Sequence, residues 1–274
     1  IPDYDLMSPK QQRITSEQVA LETTDRKWIP NAGPQTDGYF SKANLLLYGG
    51  QGGGGKTDLL GGLALMRHKR SLIIRRQYTD LDGVIDRVLS VHGTRKGYSG
   101  ASPPSLRTDD GRLIQFGAGG DLDQVQTWQG QPHDFRGIDE ACQLLEEVVR
   151  FLMGWVREAK MELDGSGGKQ GRIVLASNPP LSAEGEWVIG VFRPWLDITH
   201  PKPAKHGELR WYVTDPDGKD FEVAGPDDVK EWNGEKYIPL SRTFIPASLG
   251  DTPFLEGTGY QATLDSLPEP MRSA

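Results

Sequence analysis

The segment from Leu45 to Asp58, Leu-Leu-Leu-Tyr-Gly-Gly-Gln-Gly-Gly-Gly-Gly-Lys-Thr-Asp, constrains this chain more than any other. An apolar run stops at a glycine loop, the loop ends in Lys-Thr, and a new apolar pattern begins. From Gly50 to Thr57 the order is G-x-x-x-x-G-K-T, the pattern of a phosphate-binding loop. Glycines let the backbone wrap closely around an anion, so that several N–H groups point at it. A following helix adds its positive N-terminal end. Gly50, Gln51, Gly52, Gly53, Gly54, Gly55, Lys56, Thr57 and Asp58 are therefore the expected nucleotide-binding set. Within it, Lys56 would face the β- and γ-phosphates of ATP and the Thr57 hydroxyl would ligate Mg2+. A glycine run by itself would suit a linker equally well. The flanks argue otherwise: Ala43 to Tyr48 reads as a buried strand, and Leu59, Leu60, Leu63 and Met66 recur at helical spacing.

The chain has 274 residues, enough for one large domain or a domain with a smaller unit attached. No apolar run approaches the roughly 20 residues that span a bilayer, so no membrane partner is expected. The opening Ile1-Pro2-Asp3-Tyr4-Asp5 has neither a basic nor an apolar signal region and no initiator Met, which reads as a trimmed fragment without a signal peptide. Cys142 is the single cysteine, so an intrachain disulfide is excluded and a reducing, cytosolic setting fits. A net charge of −7 argues against a broadly basic nucleic-acid surface but leaves room for a local patch.

Residues 1–30 are polar, with a helix expected around Ser16 to Leu21. The turn formers Trp28-Ile29-Pro30-Asn31-Ala32-Gly33-Pro34-Gln35 lead to the first strand. Gln35 offers a carboxamide donor and acceptor suited to an adenine edge, or is a solvated turn residue. Ser71 to Arg75 reads as a second buried strand. Strand, helix and strand at this spacing make a βαβ unit and so a parallel sheet. Leu81, Val84, Ile85, Val88 and Leu89 mark a helix, and Leu106 to Phe116 a hairpin turning at Asp110-Gly111. Leu144 to Ala159 carries the pattern of one long helix, and Arg172 to Ala176 that of a third buried strand. Beyond Pro194, prolines and aromatics rise. Gly207 to Thr214 and Lys219 to Val223 flank Asp215-Pro216-Asp217-Gly218 as a second hairpin, and a short helix is expected near Tyr260 to Leu267.

His133-Asp134-Phe135-Arg136-Gly137-Ile138-Asp139-Glu140 ends in an acidic pair. A phosphate-loop ATPase needs one carboxylate on the Mg2+ shell and a second to polarise the attacking water. Asp139 and Glu140 fit those roles, although Arg136 and Gly137 interrupt the strand that should carry them. Taken locally, such a pair is as readily a solvated helix start. Ser177 and Asn178 end the third strand, at the ligand edge of a parallel sheet, where they would sense the γ-phosphate or simply begin a turn.

Together these residues resemble the ATPase domain of the large terminase subunit of tailed bacteriophages, in the branch with a glycine-extended loop. The resemblance rests on Gly49 to Leu60, Gln35, Trp128-Gln129-Gly130-Gln131, Ile138-Asp139-Glu140-Ala141, Ser177-Asn178-Pro179, and a closing stretch of Arg242 to Ala247, Asp251-Thr252-Pro253, Tyr260, Leu264 and Leu267-Pro268. It implies ATP hydrolysis that drives double-stranded DNA into procapsids, with Ser177 and Asn178 as the coupling element. It also implies a ring, commonly of five subunits, docked on a portal protein with a terminase small subunit, in the cytoplasm of the infected host cell. The family's nuclease domain has no counterpart here, so no nuclease activity is expected. Many relatives carry an Arg just before the acidic pair, where this chain has Gln129. Arg136, Arg112, Arg75 and Arg76 remain as arginine-finger candidates, with a neighbouring chain as the expected source.

The fold expected is therefore an α/β P-loop NTPase of the RecA-like class. It has a mainly parallel sheet flanked by helices and a smaller C-terminal lid with a β-hairpin. The segments are a polar stretch over 1–30, an ATPase core over 31–193 and a lid over 194–274. Two alternatives stand beside the motor: a P-loop helicase or other DNA-remodelling ATPase, and a nucleotide-binding assembly module that does not hydrolyse. The interrupted strand before Asp139 is the best support for the last.

Overall fold

A computed structural model of the chain describes residues 8, 11, 27–154, 156 and 171–251. The helices expected near Ser16 and Tyr260, together with Thr252-Pro253, Leu264 and Leu267-Pro268, lie outside those residues. In chain order the first half contains α1 (Pro34–Phe40), β1 (Leu45–Gly50), α2 (Lys56–Met66), β2 (Arg70–Arg75), α3 (Leu81–His92), β3 (Tyr98–Ser99), β4 (Ser105–Arg107), β5 (Leu113–Ala118) and α4 (Leu122–Gln126). The second half contains β6 (Phe135–Asp139), α5 (Glu146–Met153), β7 (Arg172–Ser177), α6 (Trp187–Val191), α7 (Arg193–Leu196), β8 (Arg210–Thr214), β9 (Asp220–Val223), the β10 (Lys230–Trp232) and β11 (Glu235–Tyr237) hairpin, and β12 (Leu240–Ala247).

One sheet of ten strands runs β3-β4-β5-β2-β6-β7-β1-β12-β8-β9. From β5 to β12 every pairing is parallel, and the antiparallel strands lie at the two ends. The apolar runs are continuous because both faces of the sheet are covered. Alternate residues still divide between two cores. Leu46, Tyr48, Ile73 and Val174 pack under α2 and α3, whereas Leu45, Leu47, Leu72, Ile74, Ile173 and Leu175 pack under α5, Phe192 and Trp195. Both hairpins fall where the sequence indicates, with Gly111 donating to Thr108 and Gly218 to Asp215 across their turns.

Three elements depart from expectation. The strand ending at Asp139 is intact and buried at every position. Gly137 leaves room for Leu60 and the Phe135 ring, whose atoms would lie 3.0 and 3.2 Å from an added Cβ. Arg136 is fully buried beside it and donates to the Leu152 carbonyl at 2.8 Å. The long helix from Leu144 to Ala159 is instead a short one, ending at Met153. Gly154 follows as its cap, and Val156 forms a parallel bridge to His133, which needs extended backbone; Trp155 and Ala159 lie outside the described residues.

The third departure is β12. The sequence reading assigns it to a lid, but it lies beside β1 in the central sheet, Leu45 opposite Arg242 through Gly50 opposite Ala247. Pro246 is tolerated there because β8 pairs only with Leu240–Arg242, so no ladder donor is demanded on that side. A boundary at 194 therefore does not separate the sheet from the strands that follow it.

Candidate functional site

The chemistry-bearing residues leave the carboxyl ends of four adjacent strands, β2, β6, β7 and β1. Register aligns them: Gly49 lies opposite Ser177, Ala176 opposite Asp139, and Ile138 opposite Ile74. On β2, β6 and β7 the residues that follow, Arg75, Glu140 and Asn178, line a common cavity of about 890 Å3, and beyond β1 the loop from Gly52 completes it. Its walls include the glycine loop, Lys56, Thr57, Arg75, Glu140 and Asn178.

The loop turns from β1 into α2 through residues that require glycine. Gly50, Gly53 and Gly55 have φ of 141°, 80° and 67°. Gly49, outside the expected motif, is needed for a different reason: a Cβ there would lie 1.8 Å from the Ser177 carbonyl oxygen. Tyr48, fully buried, donates its hydroxyl to the Gly54 carbonyl at 3.0 Å and ties the loop to the strand below it. The Gln51 N–H donates to the Ala247 carbonyl at 3.1 Å, so β12 also supports the loop. The double glycine could have drawn attention to Gly49; nothing local marks Tyr48.

Lys56 donates to the Gln51 carbonyl at 2.7 Å and to Asn178 Oδ1 at 2.5 Å. Burial pulls its ammonium below the usual lysine range, and Glu140 and Asp139 oppose that shift. The Thr57 hydroxyl lies 3.2 Å from Asp139 Oδ2. A hydroxyl and one carboxylate converging in this way suit Mg2+, which keeps waters and takes one or two carboxylates together with substrate phosphates. Among the described residues no group of three or more His, Cys, Asp or Glu side chains is arranged to hold a metal unaided.

Glu140 begins the turn after β6 with φ of 54°, a left-handed conformation uncommon for a residue with a side chain. Its backbone is held there by Gln143, whose N–H donates to the Glu140 carbonyl at 2.9 Å. Burial, and then the neighbouring Asp139 carboxylate, push Glu140 above the ordinary carboxylate range; Lys56 and Arg75 oppose them. Ser177 turns away from the cavity and accepts from the Cys142 N–H at 3.1 Å, bracing the same turn.

Gln35 lines the cavity with both ends of its carboxamide engaged. It accepts from the Asn31 N–H at 2.6 Å and donates to the Gly55 carbonyl at 3.0 Å. Asp58 faces sideways to Arg87, with Nη2 to Oδ2 at 3.2 Å. Arg87 belongs to α3, which with Gly83, Val84 and Val91 forms a cavity wall that motif reading did not identify. Trp28 closes the same end by stacking on Gly62, where a Cβ would lie 2.4 Å from the indole.

The four arginine candidates separate clearly. Arg136 is buried within the sheet, and burial lowers its guanidinium to about 10. Arg112 precedes β5, at the opposite edge of the sheet, and donates to the His68 carbonyl at 2.7 Å. Arg136 cannot reach a phosphate without opening the strand that buries it, and Arg112 lies away from its own chain's site. Arg76 is exposed and pairs with Glu184 at 2.7 Å. Arg75 lies in its own chain's site, on Asp139.

Comparison of the sequence with models of known protein families finds no match, and comparison with curated proteins finds none. Among solved structures, the chain is similar to the large terminase from a thermophilic bacteriophage, with a TM-score of 0.50 and 11% identity over 88% of this chain and 51% of that one. That likeness shows the fold. A second crystal form of the same phage protein, in complex with ADP, gives 0.47 and 13% over 97% of this chain and 52% of that one. The Thermus phage P74-26 large terminase ATPase domain gives 0.46 and 13% over 90% and 93%. The chain thus spans about half the length of the first of these proteins.

Proposed function

We propose that this chain is a Mg2+-dependent ATPase, the motor region of a terminase large subunit that drives double-stranded DNA into procapsids. The observation that carries the reading is the convergence of Lys56, Thr57, Glu140 and Asn178 on one cavity beside a glycine loop, with Asp139 against the Thr57 hydroxyl. Loop N–H groups and Lys56 bind the phosphates of ATP. Thr57 and Asp139 would hold Mg2+, which when bound would offset charge on the phosphate oxygens. Glu140 orients a water against the γ-phosphorus and accepts its proton as the bond to the β-γ bridging oxygen breaks; a carboxylate raised towards neutrality is a better base for that task. Asn178, held by Lys56 until phosphate competes for the ammonium, reports nucleotide state to the chain beyond β7.

The wider assembly belongs to the same proposal: a ring, with five subunits expected, on a portal protein, served by a small subunit, in the cytoplasm of the infected host. Among the described residues no helix is long and apolar enough to cross a membrane. With Arg136 buried in the sheet and Arg75 held on its own chain's Asp139, Arg76, on the cavity side of the sheet, is the preferred candidate to act on a neighbour and Arg112 the second. A lone domain should then bind ATP and hydrolyse it slowly, since a trans-acting arginine is worth about 10³–10⁵ in rate.

The deciding experiment pairs ATP calorimetry with phosphate release for wild type, Glu140→Gln and Lys56→Ala. Glu140→Gln should keep affinity and lose turnover by at least about 10²-fold. Lys56→Ala should lose affinity itself. Unchanged turnover in Glu140→Gln would refute the assigned base. Full ATP binding with no phosphate release by wild type, alone or assembled on procapsids, would favour the assembly-module reading instead.

A further inference from the structure

Asp139 is the most buried carboxylate of the site, 1% exposed, and its outward oxygen is already shared. Oδ2 receives the Thr57 hydroxyl at 3.2 Å, Arg75 Nε at 2.9 Å and Arg75 Nη2 at 2.8 Å. A buried carboxylate left without a cation is costly, so a positive charge beside it is stabilising. Two can: the guanidinium present here, and a divalent ion brought with the nucleotide. They compete for the same oxygen, because Arg75 already donates two N–H groups to Oδ2, the atom that also faces the Thr57 hydroxyl.

Arg75 has somewhere to go. Its Nη2 is 3.9 Å from Glu140 Oε1, and its side chain lines the same cavity as Lys56 and the glycine loop. Its Nη1 leans on the Asp80 carbonyl at 3.4 Å, a weak contact at the base of α3. A short displacement exchanges Asp139 for Glu140 and the phosphates. The strand register makes this local: Ile74 opposes Ile138, so Arg75 and Asp139 emerge side by side from neighbouring strands of one chain.

We propose that Arg75 is a cis-acting stand-in for the divalent cation, which holds Asp139 while the site is empty and moves to the Glu140 and phosphate side when metal-nucleotide loads. The proposal rests on the ATPase reading above and deepens it. Arg75 is thereby a positioning residue of its own site rather than a finger offered to a neighbour. It also makes metal and nucleotide binding cooperative, since each favours the same displaced guanidinium.

The test is calorimetry and Mn2+ spin-resonance titration on wild type, Arg75→Gln and Arg75→Lys, each first checked by thermal melting. Arg75→Gln should bind Mn2+ in the absence of nucleotide about tenfold more tightly, because nothing competes for Asp139. It should bind ATP in EDTA about tenfold more weakly, because a phosphate-facing charge is gone. Arg75→Lys keeps the charge and should restore most of the metal-free ATP affinity. If Arg75→Gln melts early, Arg75→Lys carries the test, with Mn2+ affinity rising by about threefold as two contacts become one. Equal loss in both arms, or no change in either, would overturn the exchange. Wild type that binds no ATP with or without metal would overturn the ATPase reading first, before any variant is compared.

Discussion

Replacing Gly49 by Ala tests whether the backbone contact between β1 and β7 sets the site. The added Cβ would meet the Ser177 carbonyl oxygen at 1.8 Å and its carbon at 2.9 Å. Both obstructing atoms are backbone, so no side chain can rotate away. Real Cβ atoms essentially never approach below 3.0 Å, and 3.0 − 1.8 leaves 1.2 Å that the two strands must open. Opening them there disturbs the ladder at the Gly49–Ser177 register position. Two ladder hydrogen bonds at about 1 kcal/mol each, with overpacking of about 1–3 kcal/mol, give about 3–5 kcal/mol. For a domain of this size that is a melting-temperature loss of roughly 6–12 °C at the low end of the range. Because Asn178 follows Ser177 directly, its distance from Lys56 should change too, and ATP affinity with it. Gly83→Ala is the control: it lies in α3 with nothing within 4 Å of its added Cβ, and helix propensity should stabilise it by about 0.5–1 kcal/mol. Both proteins would be followed by thermal unfolding beside wild type. A Gly49→Ala protein melting within about 2 °C of wild type would show that the β1–β7 approach is not tight, and the argument would fail.

Two further predictions concern buried polar groups. Tyr48→Phe removes the donor that satisfies the Gly54 carbonyl; a loss of about 1–3 kcal/mol is expected in urea unfolding, together with weaker ATP binding, and an unchanged midpoint would contradict it. His133, buried beside Arg136, is pushed down to about 3 by burial and then by that guanidinium. Its folded value lies below the unfolded value of 6.5, so the unfolded chain takes up the proton first. Stability from this site is present above pH 6.5 and falls progressively as pH drops towards 3. His133→Gln should flatten that acid-side slope in pH-dependent melting, and an unaltered slope would dismiss His133 as its source.

Much of the fold was legible because its signals are local. The apolar runs, the turn residues at Asp110-Gly111 and Asp215 to Gly218, and the glycine loop each announce themselves within a few residues. What stayed hidden depends on partners far along the chain. Arg136 looked like a strand breaker and a free cation; it is neither, since the Leu152 carbonyl, sixteen residues on, receives it. Leu240 to Ala247 reads as part of a lid because prolines and aromatics rise beyond Pro194, and Pro246 itself would weigh against a central strand. That objection disappears only once β8 is seen to pair with one end of it. Similarly, α2 reads as an amphipathic helix, yet Gly61 and Gly62 are also buried, because Val88 and Trp28 close on them from other elements.

The site follows the same rule, and this determines which of its parts a motif can reveal. Lys56 and Thr57 belong to one turn of chain, so their spacing identifies them. Arg75 and Asp139 are 64 residues apart and meet only because β2 and β6 are neighbours in register. Shifting that register by a single residue would carry Asp139 to the other face of the sheet, away from Thr57. The pairing that protects Asp139 is therefore a property of the sheet rather than of either sequence motif. A cation candidate chosen by its proximity to the acidic pair in sequence selects Arg136, whereas proximity in the sheet selects Arg75. The choice between cis and trans roles for these arginines consequently turns on strand order, and β2 beside β6 places Arg75 against Asp139 of its own chain.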